Sequence, residues 1–335
     1  MNNIKISFCI PTYNRSELLS ELIESIISQC EERNDIEICI SDNASSDDTS
    51  EMIKKWQERT NTPIVYKLNK ENIGPDRNYL SAVDLASGEY CWLFGSDDKL
   101  LSNSINDLDY YLDTNSDIYI VDRFKCDFSM KVLGKQSWMT TGDKLYDTTR
   151  VSELSEYLNS SLSLGAVFSY LSSIVVKRNR WNDILFNTKY IGTAYSHVYY
   201  LLTMMKNGVK IQYINTPLVL CRGENDFFSK NGIAKRILLD FDGYELLAQD
   251  IFSHNDTVKS SLLNILLKER PIIHTTITVA VYGDADDRVK LRNHYKKLGV
   301  SKLLLDAILI FRPLYYFTDK LGLSSTYRYM RRFLS

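Results

Sequence analysis

Glycine is missing from the start of this sequence: the first is Gly74, and the 335 residues hold 14 in all. A GxGxxG dinucleotide turn or a P-loop needs glycines between the first strand and the first helix, where backbone approaches a pyrophosphate. Neither motif can exist here, so any pyrophosphate must be neutralised by a metal, by basic side chains or by both. Paired cysteine patterns are missing too. Cys9, Cys30, Cys39, Cys91, Cys126 and Cys221 show no CxxC and no zinc-like spacing, and three of them lie in apolar runs. Such thiols pack as small hydrophobes, which points to reduced cysteines in a cytoplasmic protein. Long hydrophobic runs are absent. MNNIKISFCIPTYNR has no basic segment leading into an apolar stretch, so no secretory signal is expected. Leu303–Phe317 is interrupted by Asp306 and Arg312 and is too short to span a bilayer. Charge is nearly balanced, with 40 Lys and Arg against 42 Asp and Glu and a net charge of −2. That balance argues against nucleic acid as a partner of the whole chain.

What is present is a globular composition, 44% hydrophobic and 24% charged, in a chain long enough for one large domain with an appendage or for two domains. Over the first hundred residues short apolar runs alternate with helical periodicity. Lys5–Ile10, Ile36–Ile40, Pro63–Leu68 and Tyr90–Phe94 read as strands. Between them, residues 14–27, a segment through Trp56 and Arg77–Ala86 read as helices. The pattern predicts an α/β fold, a mainly parallel, Rossmann-like sheet flanked by helices. Later, Ser169–Lys177, Lys210–Ile214 and Leu218–Cys221 read as strands, with Pro217 between the last two. Tyr195–Lys206 reads as a helix, and from about Lys235 the chain is mostly helical.

Ligands of such sheets bind beyond the carboxyl ends of the strands. Each of the four early strands runs into a polar cluster there: TYNR, SDNASSDD, NKENIG and GSDD. Asp97 and Asp98 follow the fourth strand directly. Adjacent carboxylates repel, and a hard divalent cation would relieve that; an Asp-rich turn is the bland alternative. Asp42 holds the matching place on the second strand, as a ligand contact or an Asx turn.

Taken together and in order, FCIPTYNR, ICISDNASSDDT, NIGPDRN and FGSDD resemble the family 2 glycosyltransferases of GT-A fold, over roughly residues 4–222. YCWLFGSDD and CRGEND are similar to stretches of bacterial O-antigen, abequosyltransferase-like sugar transferases. The resemblance implies a GT-A catalytic domain over 1–225, with a nucleotide-sugar half (about 1–100) and an acceptor half (about 101–225). A basic helical region would follow over 226–335. It implies transfer of a monosaccharide from a nucleoside-diphosphate sugar to a hydroxyl of a lipid-linked or polysaccharide glycan, assisted by Mn²⁺ or Mg²⁺. Pro11, Thr12 and Tyr13 would line the nucleotide pocket, Asp42 would accept a hydrogen bond from the base, and Arg77 would contact the nucleotide. Asp97 would hold the cation with Asp98 beside it, and Arg222, in CRGEN, would meet a phosphate at the mouth of the site. Two positions depart from the family pattern. Gly95 stands where the acidic triplet begins, and Ser196 and His197 stand where an acidic pair supplies the base: either His197 is the base, or the base lies elsewhere, or the reaction retains configuration and needs none there. These departures keep open a catalytically inactive sugar-nucleotide-binding or scaffolding protein; a nucleotidyltransferase fits less well, since PTYNRS supplies no Gly-rich or basic loop.

From Arg288 to Ser335 there are eleven Lys or Arg against two Asp, interleaved with leucine and aromatic residues. That composition suits helices lying on an anionic membrane surface, or a basic helical pair packed on the catalytic domain. The expected location is cytoplasmic, peripheral on the inner face of the cytoplasmic membrane.

Overall fold

The computed structural model describes residues 4–30, 32–225 and 231–321, the side chains of Thr318 and Asp319 apart. Its first strand, β1 (Ile6–Thr12), is buried along its whole length, as an unbroken apolar run in the middle of a parallel sheet should be. After α1 (Ser16–Ile27) comes β2 (Ile36–Asp42); α2 (Thr49–Arg59) leads to β3 (Ile64–Leu68), and α3 (Pro75–Asp84) to β4 (Tyr90–Leu93). These four strands are parallel, in the order β3-β2-β1-β4. Phe8, Trp92 and the other large inward residues of β1, β2 and β4 pack on Leu19, Leu22, Ile23 and Ile26 of α1. Phe8 and Trp92 stack with ring centroids 5.2 Å apart.

β1 runs two residues past its expected end, through Pro11 to Thr12, paired with Ser41 and Asp42. Its pairing with β4 stops at Cys9, so at Pro11 that side of β1 is open and the missing N–H breaks no ladder.

The second half continues the sheet in mixed sense. β5 (Lys99–Leu100), α4 (Ser104–Leu112), β6 (Ile118–Cys126), β7 (Val132–Gln136), β8 (Lys144–Asp147) and α5 (Val151–Ser160) are followed by β9 (Ile174–Lys177). α6 (Arg178–Asn182), α7 (Ser196–Asn207) and β10 (Lys210–Cys221) complete it. The sheet order is β3-β2-β1-β4-β9-β6-β10-β5, with β7 on β6 and β8 on β10. The two late strands expected around Pro217 are one strand, whose register against β6 shifts between Ile214 and Val219. All six cysteines are free, and all but Cys221 are buried.

The remaining described helices are α8 (Ile233–Ile251), α9 (Asp256–Glu269), α10 (Ile272–Tyr282), α11 (Ala285–Lys297), α12 (Lys302–Ile310) and α13 (Arg312–Lys320). The chain divides into two compact units: Met1–Asn225 with Leu246–Ile265, and Asp226–Glu245 with Leu266–Ser335. Within the helical unit Asp240 accepts from Arg270 Nε at 2.8 Å and also pairs with Arg236. His294 lies between Asp242 and Glu245, at 3.0 and 2.6 Å. Among the described residues no helix is long and apolar enough to cross a membrane.

Candidate functional site

The carboxyl ends of β1, β2 and β3 are tied to one another by side chains. Asn78, on α3, donates to the carbonyls of Thr12 (3.3 Å) and Ser41 (3.0 Å), and its Oδ1 accepts from Ser41 Oγ and Asn69 Nδ2. Asn14 accepts from the Ser46 backbone at 2.8 Å and so links the loops after β1 and β2. Asp42 is fully buried at the end of β2, with Oδ1 taking the Ser45 N–H and Oδ2 the Tyr66 hydroxyl, both at 2.8 Å. It is at once an Asx-turn residue and a fixed acceptor. Pro11 and Thr12 are buried beside it and Tyr13 is partly exposed. Thr12 Oγ1 is buried without a hydrogen-bond partner. Such a group is costly unless something bound satisfies it, and it sits where the resemblance puts the nucleotide. Arg77 is exposed on α3.

The acids after β4 have separate environments. Asp97 is half-buried, with Arg15 Nη1 at 3.0 Å and Asn225 Nδ2 at 2.8 Å. Asp98 is buried: Oδ2 accepts from Tyr170 (2.6 Å) and Ser172 (2.5 Å), and Oδ1 from the Arg222 backbone N–H (3.0 Å). Burial, together with the charge of Asp97, pushes the Asp98 carboxyl up to about 6. Both oxygens accept from protein donors, so Asp98 fastens the ends of β4 and β10 to the segment before β9. A Cβ at Gly95 would lie 3.2 Å from both Asp97 Oδ1 and Asp98 Oδ2, so a third carboxylate there would force these two to shift.

No group of three His, Cys, Asp or Glu able to hold a metal occurs among the described residues. Small divalent cations are commonly held by one or two carboxylates completed by substrate phosphates and water. Asp97 fits the first part of that description.

Two further expected residues are engaged by the protein itself. The Arg222 guanidinium meets three protein acceptors. Nε donates to the Asp97 carbonyl (2.8 Å), Nη1 to the Phe128 carbonyl (2.6 Å) and Nη2 to Glu21 (2.8 Å). His197 is buried at the start of α7, with Nε2 3.0 Å from the Phe168 carbonyl and Nδ1 unpartnered. Burial pulls its pKa down to about 4, so the ring is neutral at pH 7. It steadies Phe168, a non-glycine residue at φ 74°, just before the segment that carries Tyr170 and Ser172.

Several functional neighbours had no role in the sequence reading. Arg15, the last residue of TYNR, is the half-buried cation on Asp97, and it was legible from its place in the motif. Asp76, beside Arg77, accepts from the backbone N–H groups of Gly192, Ala194 and Ser196 and so positions the start of α7. Nothing in local sequence pairs residues so far apart.

A sheet with its polar loops gathered at the carboxyl ends, and a half-buried Asp97 after β4, defines a nucleotide-binding transferase of the GT-A kind. The chain belongs to glycosyl transferase family 2, whose family model matches residues 7–182, and it is a glycosyltransferase. It is similar to the abequosyltransferase RfbV of Salmonella typhimurium, with 48% identity over 314 residues, 93% of this chain and 94% of that one. A shorter likeness, 39% over 105 residues, is to the GalNAc(5)-diNAcBac-PP-undecaprenol beta-1,3-glucosyltransferase of Campylobacter jejuni; it spans 31% of this chain and 33% of that one. The fold is shared with S. aureus TarS 1–349 in complex with UDP-GlcNAc, at TM-score 0.63 and 17% identity over 95% of this chain and 88% of that one. It is shared as well with the mannosyltransferase PcManGT of Pyrobaculum calidifontis in complex with GDP-Man and Mn²⁺, at TM-score 0.54 and 15% identity over 95% and 88% of the two chains.

Proposed function

We propose that this enzyme transfers a deoxyhexose, abequose or a close analogue, from its nucleoside diphosphate to a hydroxyl of a lipid-linked glycan. The product would be an O-antigen or related surface polysaccharide, made at the inner face of the cytoplasmic membrane. The observation that carries the reading is the 48% identity to an abequosyltransferase along nearly the whole of both chains. The catalytic unit would be residues 1–225, with the nucleotide-sugar half before residue 100.

In this reading the base docks at the ends of β1 and β2, where Asp42 offers a carboxylate already oriented by Ser45 and Tyr66. The unpartnered Thr12 hydroxyl finds its hydrogen bond on the donor. Mn²⁺ or Mg²⁺, when bound, supplies positive charge for the departing nucleoside diphosphate and would be held by Asp97 with the donor's phosphates. Arg15, 3.0 Å from Asp97, is near enough to share that charge with the diphosphate. Asp98, Tyr170, Ser172 and Arg222 do not touch donor; they hold the strand ends at which Asp97 sits. The test is transfer by the purified full chain from a panel of nucleoside-diphosphate deoxyhexoses to a lipid-linked glycan acceptor, with Mn²⁺, with Mg²⁺ and with EDTA. Transfer of a deoxyhexose supports the reading. Transfer of only unmodified hexoses overturns the donor assignment, and undiminished transfer in EDTA overturns the cation.

A further inference from the structure

Within the helical unit, α12 and α13 are apolar on two sides. One side is buried: Leu305 and Ile308 pack inward, and Arg312 Nε donates to the Ala280 carbonyl at 2.9 Å. The other side carries Leu303, Ala307, Ile310, Leu314, Phe317 and Leu321, spaced by alternating steps of four and three, and all six are exposed. The large ones are exposed by 80% (Leu303), 73% (Ile310), 56% (Leu314), 61% (Phe317) and 58% (Leu321). Within each helix such steps place residues on one face, Leu303, Ala307 and Ile310 on α12 and Leu314 and Phe317 on α13, with Leu321 just past its end. A row of this kind in contact with water costs roughly 25 cal/mol for each Å² left uncovered, so it marks a surface meant to be covered.

The charge beside the row says by what. Lys302, Arg312 and Lys320 are exposed along it, and the acid Asp306 is already engaged by Arg292 at 2.6 Å. From Arg288 to Ser335 basic residues outnumber acids eleven to two, and Arg328, Arg331 and Arg332 lie in the sequence beyond the described residues. Phe311 and Tyr316 add exposed aromatic rings at the same place. Apolar and aromatic residues on one face with Lys and Arg at its margins are what a helix needs to lie in the headgroup region of an anionic bilayer.

We infer that the exposed apolar faces of α12 (Leu303, Ile310) and α13 (Leu314, Phe317), with Leu321 just beyond, dock the enzyme on an anionic lipid bilayer. The insertion is shallow and needs no spanning segment. It rests on the helical unit alone and holds whichever sugar the enzyme transfers.

The test uses the full chain with vesicles of phosphatidylcholine alone and of phosphatidylcholine with phosphatidylglycerol, sedimented at low and high salt. Wild type should bind the anionic vesicles, and high salt should weaken the binding without abolishing it, since only the charge component is screened. L314E/F317E should lose about tenfold in binding at high salt, because two apolar anchors are gone and like charge faces the lipid. K302Q/K320Q should lose mainly the salt-sensitive part. Both variants alter exposed side chains, so their circular dichroism and melting should match wild type. Equal vesicle binding by L314E/F317E and wild type would overturn the inference. It would also fall if wild type ignores vesicles and forms a dimer that L314E/F317E dissolves, for a second copy would then cover the row.

Discussion

Replacing Arg222 by methionine separates two roles that its place in CRGEN leaves open. Methionine keeps most of the side-chain length and leaves the backbone N–H on Asp98 in place, but it removes three guanidinium hydrogen bonds. Bonds to charged groups contribute about 1.5–3 kcal/mol each. The one to Glu21 counts for less, because Glu21 is partly exposed and water competes for it. The other two end on the carbonyls of Asp97 and Phe128, which lose their donor. The expected cost is therefore about 3–6 kcal/mol. It should appear as a lower midpoint of urea-induced unfolding of the sheet unit. Nucleoside diphosphate affinity, measured by calorimetry well below that midpoint, should fall only modestly, because the guanidinium faces protein and not ligand. The reasoning is refuted if R222M unfolds at the wild-type midpoint while its nucleotide affinity collapses; the guanidinium would then be a phosphate ligand.

Asp97→Ala should abolish transfer with little change in melting temperature, since the carboxylate lies at a strand end outside the core; full activity in the variant would remove it from the reaction. Asp42→Ala should weaken nucleoside diphosphate binding by about 1–3 kcal/mol in calorimetry, and an unchanged dissociation constant would place the base elsewhere. His197→Gln should destabilise by about 1–2 kcal/mol through loss of the Phe168 contact and leave the shape of the kcat/KM pH profile as it was; loss of that profile's acidic limb would restore His197 as the base. His294 is pulled down by burial, but Asp242 and Glu245 outweigh this and raise it to about 9, with Lys297 the facing cation on Glu245. Because the folded value is raised, its stabilisation is whole below about pH 6.5 and fades as pH climbs through 9. Unfolding midpoints should therefore drop between those limits in wild type, by up to about 2–3 kcal/mol, and much less in His294→Gln.

The first half of the sheet could be read from sequence because its strands are apolar and its helices amphipathic, each with the period that its burial demands. β6 escaped that reading for a physical reason. Its run IYIVDRFKC carries Asp122 and Arg123, which look like surface charges, yet Asp122 is fully buried. The Trp138 backbone and the Tyr213 hydroxyl donate to its Oδ1, at 3.0 and 2.7 Å, and Lys135 Nζ lies 3.3 Å from its Oδ2. Arg123 lies over the Tyr170 ring, 3.8 Å from its centroid. A charge is tolerated in a core when it is paired and hydrogen-bonded, and the two donors to Asp122 Oδ1 lie 16 and 91 residues away. β9 begins at Ile174 rather than Ser169 for a related reason: the chain bends through residues 171–173, and Tyr170 and Ser172 reach Asp98.

The same distinction governs the site. Motif spacing places a polar loop at the end of a strand, because strand length and direction are local properties. It does not decide which of two neighbouring acids is fully buried. Asp97 and Asp98 are adjacent in sequence and identical in chemistry, yet Asp97 meets a mobile-length cation, Arg15, while Asp98 meets two hydroxyls and a backbone N–H. Their difference is made by Tyr170, Ser172 and Arg222, which the chain brings in from 72 to 124 residues away. Arg222 and His197 follow suit: residue type alone suggests a phosphate ligand and a base, and each is met by carbonyls that distant parts of the chain deliver. Asp97 and Arg15 pair at the strand ends, and the Thr12 hydroxyl lies buried there without a partner. On the proposed reading the donor's phosphates complete the coordination of a cation on Asp97, and so nucleotide and cation should bind more tightly together than either does alone.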